Sequence, residues 1–312
     1  MSEFKLTTPV AFIIFNRLDC TMKVFEQIRQ AKPERLYIIS DGPRENKIGE
    51  KEKVEEVRRY VEEHIDWQCQ VQYNYADNNM GSKYRIYSGL NWVFTQEEET
   101  IVLEDDCVPS TDFFRYCQEL LEIYREKEQV WMISGINVLR KQESKEPYFF
   151  ARFSEIWGWA TWKRAWMCND IEMTTWPESR KNKTIKYAYD FFSYRCYLRE
   201  ADYQYKAKRD AWDIPWRYTM LAHHGVGIVP SENMIANIGC GRADASNTIE
   251  QVDTDFSYGK SLQFPLKEQE IVIDRKYDKT CLKTGAGVKK ELRYIKYLFT
   301  RIVPKIKEKV HK

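Results

Sequence analysis

The stretch Thr100-Ile101-Val102-Leu103-Glu104-Asp105-Asp106 decides the fold class of this chain, because an apolar, β-branched run stops abruptly at three carboxylates. Such a run is typical of a strand that is buried on both faces of a parallel sheet. The carboxyl end of a strand of this kind opens into the crevice where open α/β sheets bind their ligands. We therefore expect a ligand site at Glu104, Asp105 and Asp106.

Strand-like apolar runs alternate with helix-like periodic segments on both sides of this stretch. The predicted strands are residues 10–15, 35–40, 70–75, 100–104 and 130–134. The predicted helices are residues 19–29, 51–64, 82–94 and 111–126. This alternation predicts an α/β fold with a mostly parallel sheet flanked by helices.

The alternation fades beyond about Asn137, where tryptophans become frequent. The tryptophans of this region are Trp157, Trp159, Trp162, Trp166, Trp176, Trp212 and Trp216. Each one singly is typical of a core residue. Together they favour an aromatic-rich layer over the crevice, because aromatic faces stack on sugar rings. Trp159 is our candidate for a contact with a bound donor.

Composition excludes several classes of protein. With 312 residues, 43% of them hydrophobic, the chain has ample material for a buried core. A formal net charge of only +2 argues against a surface built to hold nucleic acid. The eight cysteines form no C-x-x-C pair, which favours reduced thiols in the cytoplasm. Because no apolar run approaches the ~18 residues of a membrane span, we expect a cytoplasmic protein.

The last residues carry most of the positive charge. Residues 288–312 contain nine Lys or Arg and two Glu, and their apolar residues fall at helical spacing. This pattern is typical of an amphipathic helix that lies on an anionic membrane surface, and a helix packed on the protein body with a solvated basic face is the alternative.

The acidic triplet has a metal-binding interpretation and a structural one. Adjacent carboxylates raise one another's pKa unless a cation neutralises them. Their oxygen-only surroundings favour Mn²⁺ or Mg²⁺, which take one or two protein carboxylates and complete their shell with phosphate oxygens and water. The alternative is that Asp105 or Asp106 caps the next helix, although Ser110 and Thr111 lie closer to its start.

Two further residues follow predicted strands. Asp41 opens the turn Asp41-Gly42-Pro43, where it is either an ordinary turn former or an acceptor of hydrogen bonds from a base or ribose. Arg17 lies near the start of the first predicted helix, where a guanidinium suits a diphosphate, and a solvated surface arginine is the alternative.

Several motifs together resemble the GT-A glycosyltransferases, closest to the N-acetylglucosaminyltransferase I group and to a bacterial haemolytic-protein-like family. The resemblance covers about residues 8 to 250. Its motifs are Phe12-Ile13-Ile14-Phe15-Asn16-Arg17, Ile39-Ser40-Asp41-Gly42, Val102-Leu103-Glu104-Asp105-Asp106-Cys107-Val108-Pro109, Ile156-Trp157-Gly158-Trp159-Ala160-Thr161-Trp162 and Trp212-Asp213-x-x-Trp216.

The resemblance implies a GT-A (Rossmann-like) fold and a role for each matching residue. Asp106 would coordinate the metal, Glu104 and Asp105 would face the ribose or base, and Asp41 would contact the base. Arg17 would lie near the diphosphate. Asp213 would be the catalytic base. Residues 1–136 would form the half that binds the nucleotide sugar, 137–255 the acceptor-side half, and 256–312 a helical C-terminal extension.

The chain departs from the family at one motif. The bacterial family has Gly-x-Asp-Ala-Thr-His-Thr, whereas this chain has Gly241-Arg242-Ala243-Asp244-Ala245-Ser246-Asn247-Thr248. Asn247 therefore replaces a histidine, and Arg242 is a candidate to supply the missing contact.

Asp213 has a structural alternative of its own, because it precedes Ile214-Pro215 and a helical stretch and is therefore also a candidate N-cap. Glu155 and Asp244 are the reserve candidates for the base.

These features predict an inverting, metal-assisted glycosyltransferase. Its donor would be a nucleotide sugar, with UDP favoured, and its acceptor a glycan or lipid-linked saccharide. One rival is a nucleotidyltransferase, but Asn16-Arg17-Leu18-Asp19 contains no glycine for a phosphate loop. The other rival is a non-catalytic sugar-binding module.

Overall fold

The computed structural model describes residues 4–139, 146–207, 209–242 and 258–284. The strands of its main sheet are β1 (Val10–Ile14), β2 (Arg35–Ser40), β3 (Gln70–Tyr75), β4 (Glu99–Glu104), β6 (Val130–Ser134), β7 (Tyr148–Ala151), β8 (Trp159–Trp162) and β9 (Val226–Pro230). A two-stranded antiparallel ribbon pairs β5 (Cys107–Pro109) with β10 (Ile235–Asn237).

Helices cover the sheet. They are α1 (Leu18–Ala31), α2 (Glu50–Glu63), α3 (Gly81–Val93), α4 (Thr111–Ile123), α5 (Lys163–Trp166), α6 (Trp176–Asn182), α7 (Phe191–Ala207), α8 (Asp213–Ala222) and α9 (Arg275–Thr284).

The sheet has the strand order β3-β2-β1-β4-β8-β6-β9-β7. Strands β3, β2, β1 and β4 are parallel neighbours, whereas β8 runs antiparallel between β4 and β6. Because β9 is parallel to β6 and antiparallel to β7, only β8 and β7 run against the other strands of this sheet. The predicted α/β class with a mostly parallel sheet is confirmed.

The predicted elements between residues 10 and 134 are all present, with ends within three residues of their predicted positions. The central strand β4 shows why the pattern was readable, since Ile101, Val102 and Leu103 are all fully buried. The short strand β5 was not predicted, because its three residues have no distinctive pattern.

Two hydrophobic layers sandwich the sheet. On one face, Leu103 and Phe12 pack with residues of α1, α2 and α4. On the other face, Val102 and Ile13 pack with residues of α3, α5 and α8. Since side chains alternate along β4, Glu104 lies on the second face, the one covered by α3 and α8.

The tryptophans correct one expectation. Trp159, Trp166, Trp212 and Trp216 form a buried cluster with ring centroids 5.3 to 6.2 Å apart. Trp162 and Trp176 are also buried, and of the seven tryptophans only Trp157 is half-buried. The predicted aromatic layer over the crevice is therefore wrong, because these rings build the core beneath it.

Several predictions lie outside the described residues: the basic helix of residues 288–312, Asp244 and Asn247. The division of the chain at residues 136 and 255 stays a prediction. Among the described residues, no helix combines the length and the apolar character needed to cross a membrane.

Candidate active site

The acidic triplet lies where β4 ends, and Arg17 reaches it from the loop between β1 and α1. The Arg17 guanidinium forms an ion pair with the Asp105 carboxylate through Nη2, and its Nε lies 3.4 Å from the other oxygen of that carboxylate. The same Nη2 lies 2.9 Å from Asp106 Oδ2. The structure thus brings together Arg17, Asp105 and Asp106, residues that the sequence separates by almost ninety positions.

The two aspartates differ in accessibility. Asp105 is 3% exposed, and burial raises its pKa against the opposing effect of Arg17. The Asp106 side chain keeps 14% of its surface exposed. Asp105 is therefore the anchor of Arg17, and Asp106 is the carboxylate of this pair that can reach a ligand.

Glu104 lies on the opposite face of the strand end from Leu103. Burial raises the pKa of Glu104 well above its usual range, and the charges of Asp106 and Asp105 raise it further. Arg17 opposes this rise, and Asp213 adds to it. The single guanidinium of Arg17 leaves the three adjacent carboxylates with an excess of negative charge.

A backbone loop covers Asp106 from the side of the ribbon. The N–H of Ile238 donates to the Asp106 backbone carbonyl at 2.8 Å, which extends the pairing of β10 with β5. A Cβ at Gly239 would overlap the Asp106 carboxylate and would lie 2.9 Å from Arg17 Nη1. Sequence reasoning missed Gly239, and the glycine pair at positions 239 and 241 was the available signal.

The predicted base, Asp213, is the first residue of α8. It is half-buried, and its carboxylate accepts no hydrogen bond from the residues that the structure describes. Trp212 holds the N-cap position without a side-chain cap, so the alternative of Asp213 as the cap is not borne out. The carboxylate acts electrostatically on Glu104 and on Glu155. Asp213 therefore lies close enough to the triplet to act on Glu104 electrostatically.

The Trp159–Trp212 contact explains how Asp213 reaches this position. The two rings stack with centroids 5.4 Å apart and an interplanar angle of 25°. Trp159 pairs with Val102 in the sheet, two residues before Glu104. The stacked rings therefore fix the start of α8 beside the carboxyl end of β4.

Trp159 itself does not fit the predicted donor contact. Its side chain is 0% exposed and is enclosed by other tryptophans, so no ring face is left for a sugar. Trp157, two residues earlier, is half-buried and sits before Gly158, whose φ of 59° turns the chain. The ring of this motif that solvent can reach is thus Trp157.

Asp41 has a structural role in this fold, and its predicted contact with a base stays a prediction. Its Oδ1 accepts the N–H groups of Gly42 at 2.9 Å and Met80 at 2.8 Å. Its Oδ2 accepts the N–H of Gly81 at 3.0 Å and the side-chain amide of Asn79 at 2.9 Å. Burial raises the Asp41 pKa, and these N–H donors oppose the rise. Both oxygens are therefore occupied in fixing the loop that begins α3.

Arg242 lies beside the start of α1. Its guanidinium forms an ion pair with Asp19 at 2.6 Å, two residues after Arg17. A second guanidinium therefore borders the entrance to the triplet. Whether it replaces the histidine contact of the family stays a prediction, because residues 243–257 lie outside the described part of the chain.

The residues present fit a divalent cation that takes few protein ligands. Among the described residues, no three His, Cys, Asp or Glu side chains are grouped as a metal site. Asp106 nevertheless offers an accessible carboxylate within an excess of negative charge. This donor set suits Mn²⁺ or Mg²⁺ bound by one protein carboxylate together with the phosphates of a ligand.

Comparisons with known proteins give distant structural likenesses only. No protein-family model and no curated protein matches the sequence. A mannosyltransferase from Pyrobaculum calidifontis in complex with GDP-Man and Mn²⁺ is 13% identical, with 71% of this chain and 70% of that one covered and a TM-score of 0.37. A UDP-glucose pyrophosphorylase complexed with UDP-glucose is 11% identical, with coverages of 74% and 93% and a TM-score of 0.38. A galactosyltransferase in complex with donor and acceptor sugar analogues is 11% identical, with coverages of 56% and 65% and a TM-score of 0.32. At these values the likenesses assign neither activity nor substrate to this chain.

Proposed function

We propose that this chain is an inverting glycosyltransferase of the GT-A type, which moves a sugar from a nucleotide-sugar donor, with UDP favoured, to a hydroxyl of a glycan or lipid-linked acceptor. The observation that carries the proposal is that two unlike groups lie near the end of β4. Arg17 and Asp106 form one of them, and the other is the half-buried carboxylate of Asp213, which has no hydrogen bond from a described residue and acts electrostatically on Glu104.

Each group has a defined task in such a transfer. Asp213 accepts the proton of the acceptor hydroxyl, whose oxygen forms a bond to the anomeric carbon from the face opposite the diphosphate. The bond between that carbon and the diphosphate oxygen breaks, so the diphosphate leaves with the electron pair and the anomeric centre inverts. Arg17 stabilises the negative charge of the leaving group.

Asp106 is the residue that would bind a divalent cation in this arrangement. Mn²⁺ or Mg²⁺ held by Asp106 would neutralise charge on the diphosphate. Arg17 is suited to the same ligand, because it can exchange a carboxylate partner for a phosphate without entering a less polar environment. Glu104 lies beside Asp106, and a bound cation would favour the ionised form of its carboxyl group.

The test is a donor screen with a chemical readout. The purified full chain is incubated with UDP-, GDP-, CMP- and dTDP-sugars, with and without Mn²⁺, and released nucleotide is measured by chromatography. We expect metal-dependent release from one nucleotide class and a matching rise in Tm, because a ligand that binds only the folded state stabilises it. No release from any donor would contradict the proposal. Synthesis of a nucleotide sugar from a nucleoside triphosphate and a sugar phosphate would assign the chain to the nucleotidyltransferases instead.

A further inference from the structure

A second polar cluster lies beside Asp213, and the reaction described above leaves it without a task. Arg217 follows Asp213 by four residues on α8, so the two side chains lie on the same face of the helix. The Arg217 guanidinium lies 3.0 Å from Glu155 Oε2. Both side chains of this pair reach solvent, with 27% of Arg217 and 33% of Glu155 exposed.

Two tyrosines lie within electrostatic reach of Arg217. The rings of Tyr189 and Tyr197 stack with centroids 5.0 Å apart. Their phenol oxygens are buried and have no hydrogen-bond partner among the residues that the structure describes. Tyr197, on α7, is only 5% exposed, and its phenol is under the electrostatic influence of Arg217, Glu200 and Asp213.

A buried hydroxyl without a partner is costly, at about 1–3 kcal/mol. Such a group, in a cluster that solvent can reach, is therefore suited to bind a water molecule or a ligand that supplies the missing hydrogen bond. The unsatisfied hydroxyl of Tyr197 is thus evidence for a ligand that does not depend on the surrounding charges. We call Glu155, Tyr189, Tyr197, Glu200 and Arg217 the polar wall.

The chemistry of the polar wall matches a polyol. Carboxylates accept hydrogen bonds, the guanidinium donates them, and phenols do both, so together they can satisfy hydroxyl groups that both donate and accept. The acidic groups Glu155, Glu200 and the adjacent Asp213 outnumber the one basic group, Arg217. A ligand with a carboxylate or phosphate would therefore add like charge to a partly buried surface, which disfavours binding.

We infer that the polar wall is the acceptor subsite and that it selects a saccharide unit without an acidic group. The inference rests on the proposed function, since Asp213 is shared between the polar wall and the crevice of the triplet. A neutral sugar hydroxyl bound against Tyr197 and Arg217 lies beside the carboxylate that takes its proton.

The test uses two probes that differ in one group, methyl β-glucoside and methyl β-glucuronide. Their binding to the full chain, with nucleoside diphosphate and Mn²⁺ present, is measured by ligand-observed NMR titration. We expect the wild type to bind the neutral probe at least about tenfold more tightly than the acidic one. Glu155→Gln keeps the shape of the side chain and removes one charge, so it should reduce this preference severalfold. Tyr197→Phe should weaken binding of the neutral probe by about fivefold or more, because it removes one hydrogen bond.

Matched controls separate recognition from packing. Tyr194 lies on the same helix and also has a buried hydroxyl without a described partner, but Arg180 is the charge that acts on it. Tyr194→Phe should therefore leave binding of both probes unchanged. Glu98→Gln changes an exposed carboxylate that pairs with Lys163, away from the wall, and should leave the preference unchanged.

The outcomes for the inference and for the proposed function are distinct. Equal binding of the two probes, absence of binding for both, or a preference that Glu155→Gln does not alter would overturn the inference. Calorimetric titration of nucleotide sugar with Mn²⁺ tests the proposed function separately. If the donor binds but the two probes bind equally, the acceptor subsite is rejected and the proposed glycosyltransferase is retained. If the probes are discriminated but no donor binds, the protein is a sugar-binding module.

Discussion

Three consecutive carboxylates have three different environments in this protein. Asp105 is buried against Arg17, Asp106 keeps part of its carboxylate accessible, and Glu104 lies on the face covered by α3 and α8. Side chains leave a strand on alternating faces, and the chain turns directly after β4. The three side chains therefore enter different surroundings. One short acidic stretch can therefore supply both a carboxylate that holds the Arg17 guanidinium and a carboxylate that can bind a ligand.

We expect Asp106→Ala to remove metal-dependent donor binding while the fold remains intact. The substitution deletes the accessible carboxylate but leaves the ion pair of Arg17 with Asp105. Since Asp106 raises the pKa of its neighbours, its loss also relieves like-charge repulsion, and we expect Tm to be unchanged or higher. Calorimetric titration with Mn²⁺ and nucleotide is the measurement. Asp66→Ala, at an exposed ion pair with Arg29, is the control. Metal-dependent binding equal to wild type in Asp106→Ala would rule out this residue as the ligand.

Asp213→Asn tests the proposed role of Asp213 as the catalytic base. The amide keeps the shape of the side chain but cannot accept the proton, so transfer should fall by roughly two to four orders of magnitude while donor affinity and Tm stay near wild type. Asp66→Asn, at an exposed ion pair with Arg29, is the control. NMR of the wild-type product should show an inverted anomeric centre. Turnover close to wild type, or a retained configuration, would exclude Asp213 from this role.

At the level of elements, the start of α3 connects the end of β2 with the segment that precedes α8. Asp41 accepts the N–H groups of Met80 and Gly81, and Asp210 accepts those of Ser82 at 3.0 Å and Lys83 at 2.6 Å. Two carboxylates from distant parts of the chain thus cap one helix. Because Asp210 lies three residues before Asp213, the cap also fixes the segment that carries the proposed base.

Asp210→Ala should therefore affect both stability and transfer. Loss of the cap should lower the free energy of unfolding by about 1–2 kcal/mol, and a displaced α8 should lower the rate of transfer. Asp210→Asn retains an oxygen that can accept the N–H groups and should recover most of both losses. Denaturant unfolding and kinetic assays of the two variants are the measurements. An unchanged unfolding free energy in Asp210→Ala would show that the cap contributes nothing.

The same elements show what sequence patterns can predict. The strands and helices up to residue 134 were predictable because continuous apolar runs and helical periods are local signals. The insertion of β8 between β4 and β6 was not, because it depends on contacts between distant segments. For a related reason, the strand end that carries Asp41 was visible in the sequence, but the donors from residues 79–81 that occupy its oxygens were not. The burial of Trp159 was not predictable either, because neighbouring tryptophans of one motif lie in different environments on either side of Gly158.

For the molecule as a whole, the candidate site at the end of β4 is a concentration of unfavourable charge in an otherwise well-packed fold. Burial raises the pKa of Glu104, Asp105, Asp41 and Glu155 above the usual carboxyl range. Glu50 differs from these groups, because hydrogen bonds from Arg44 lower its pKa. The site therefore reduces stability at neutral pH in a way that a bound cation can relieve, as is common where function and packing conflict.

This charge distribution predicts how stability varies with pH in the presence of EDTA. A carboxyl group with a raised pKa in the folded state binds more protons there than in the unfolded chain, whose carboxyls ionise near pH 4. Stability therefore falls as pH rises from the unfolded value towards the folded one. Groups with a lowered pKa, such as Glu50, act oppositely and lose their contribution only on acidification below about pH 4.

We expect the free energy of unfolding in EDTA to fall by about 1–3 kcal/mol between pH 6 and pH 8, with Glu104 as the main contributor because burial and two adjacent aspartates raise its pKa. Glu104→Gln removes that ionisation and should flatten the dependence, whereas Glu98→Gln, at an exposed ion pair with Lys163, should not. Urea unfolding at a series of pH values is the measurement. The decisive quantity is the difference in slope between wild type and Glu104→Gln, which cancels contributions common to both. Mn²⁺ with nucleoside diphosphate should reduce the same slope in the wild type, because a bound cation favours the ionised carboxylates. Equal slopes in wild type and Glu104→Gln would contradict the assignment of the destabilising charge to the end of β4.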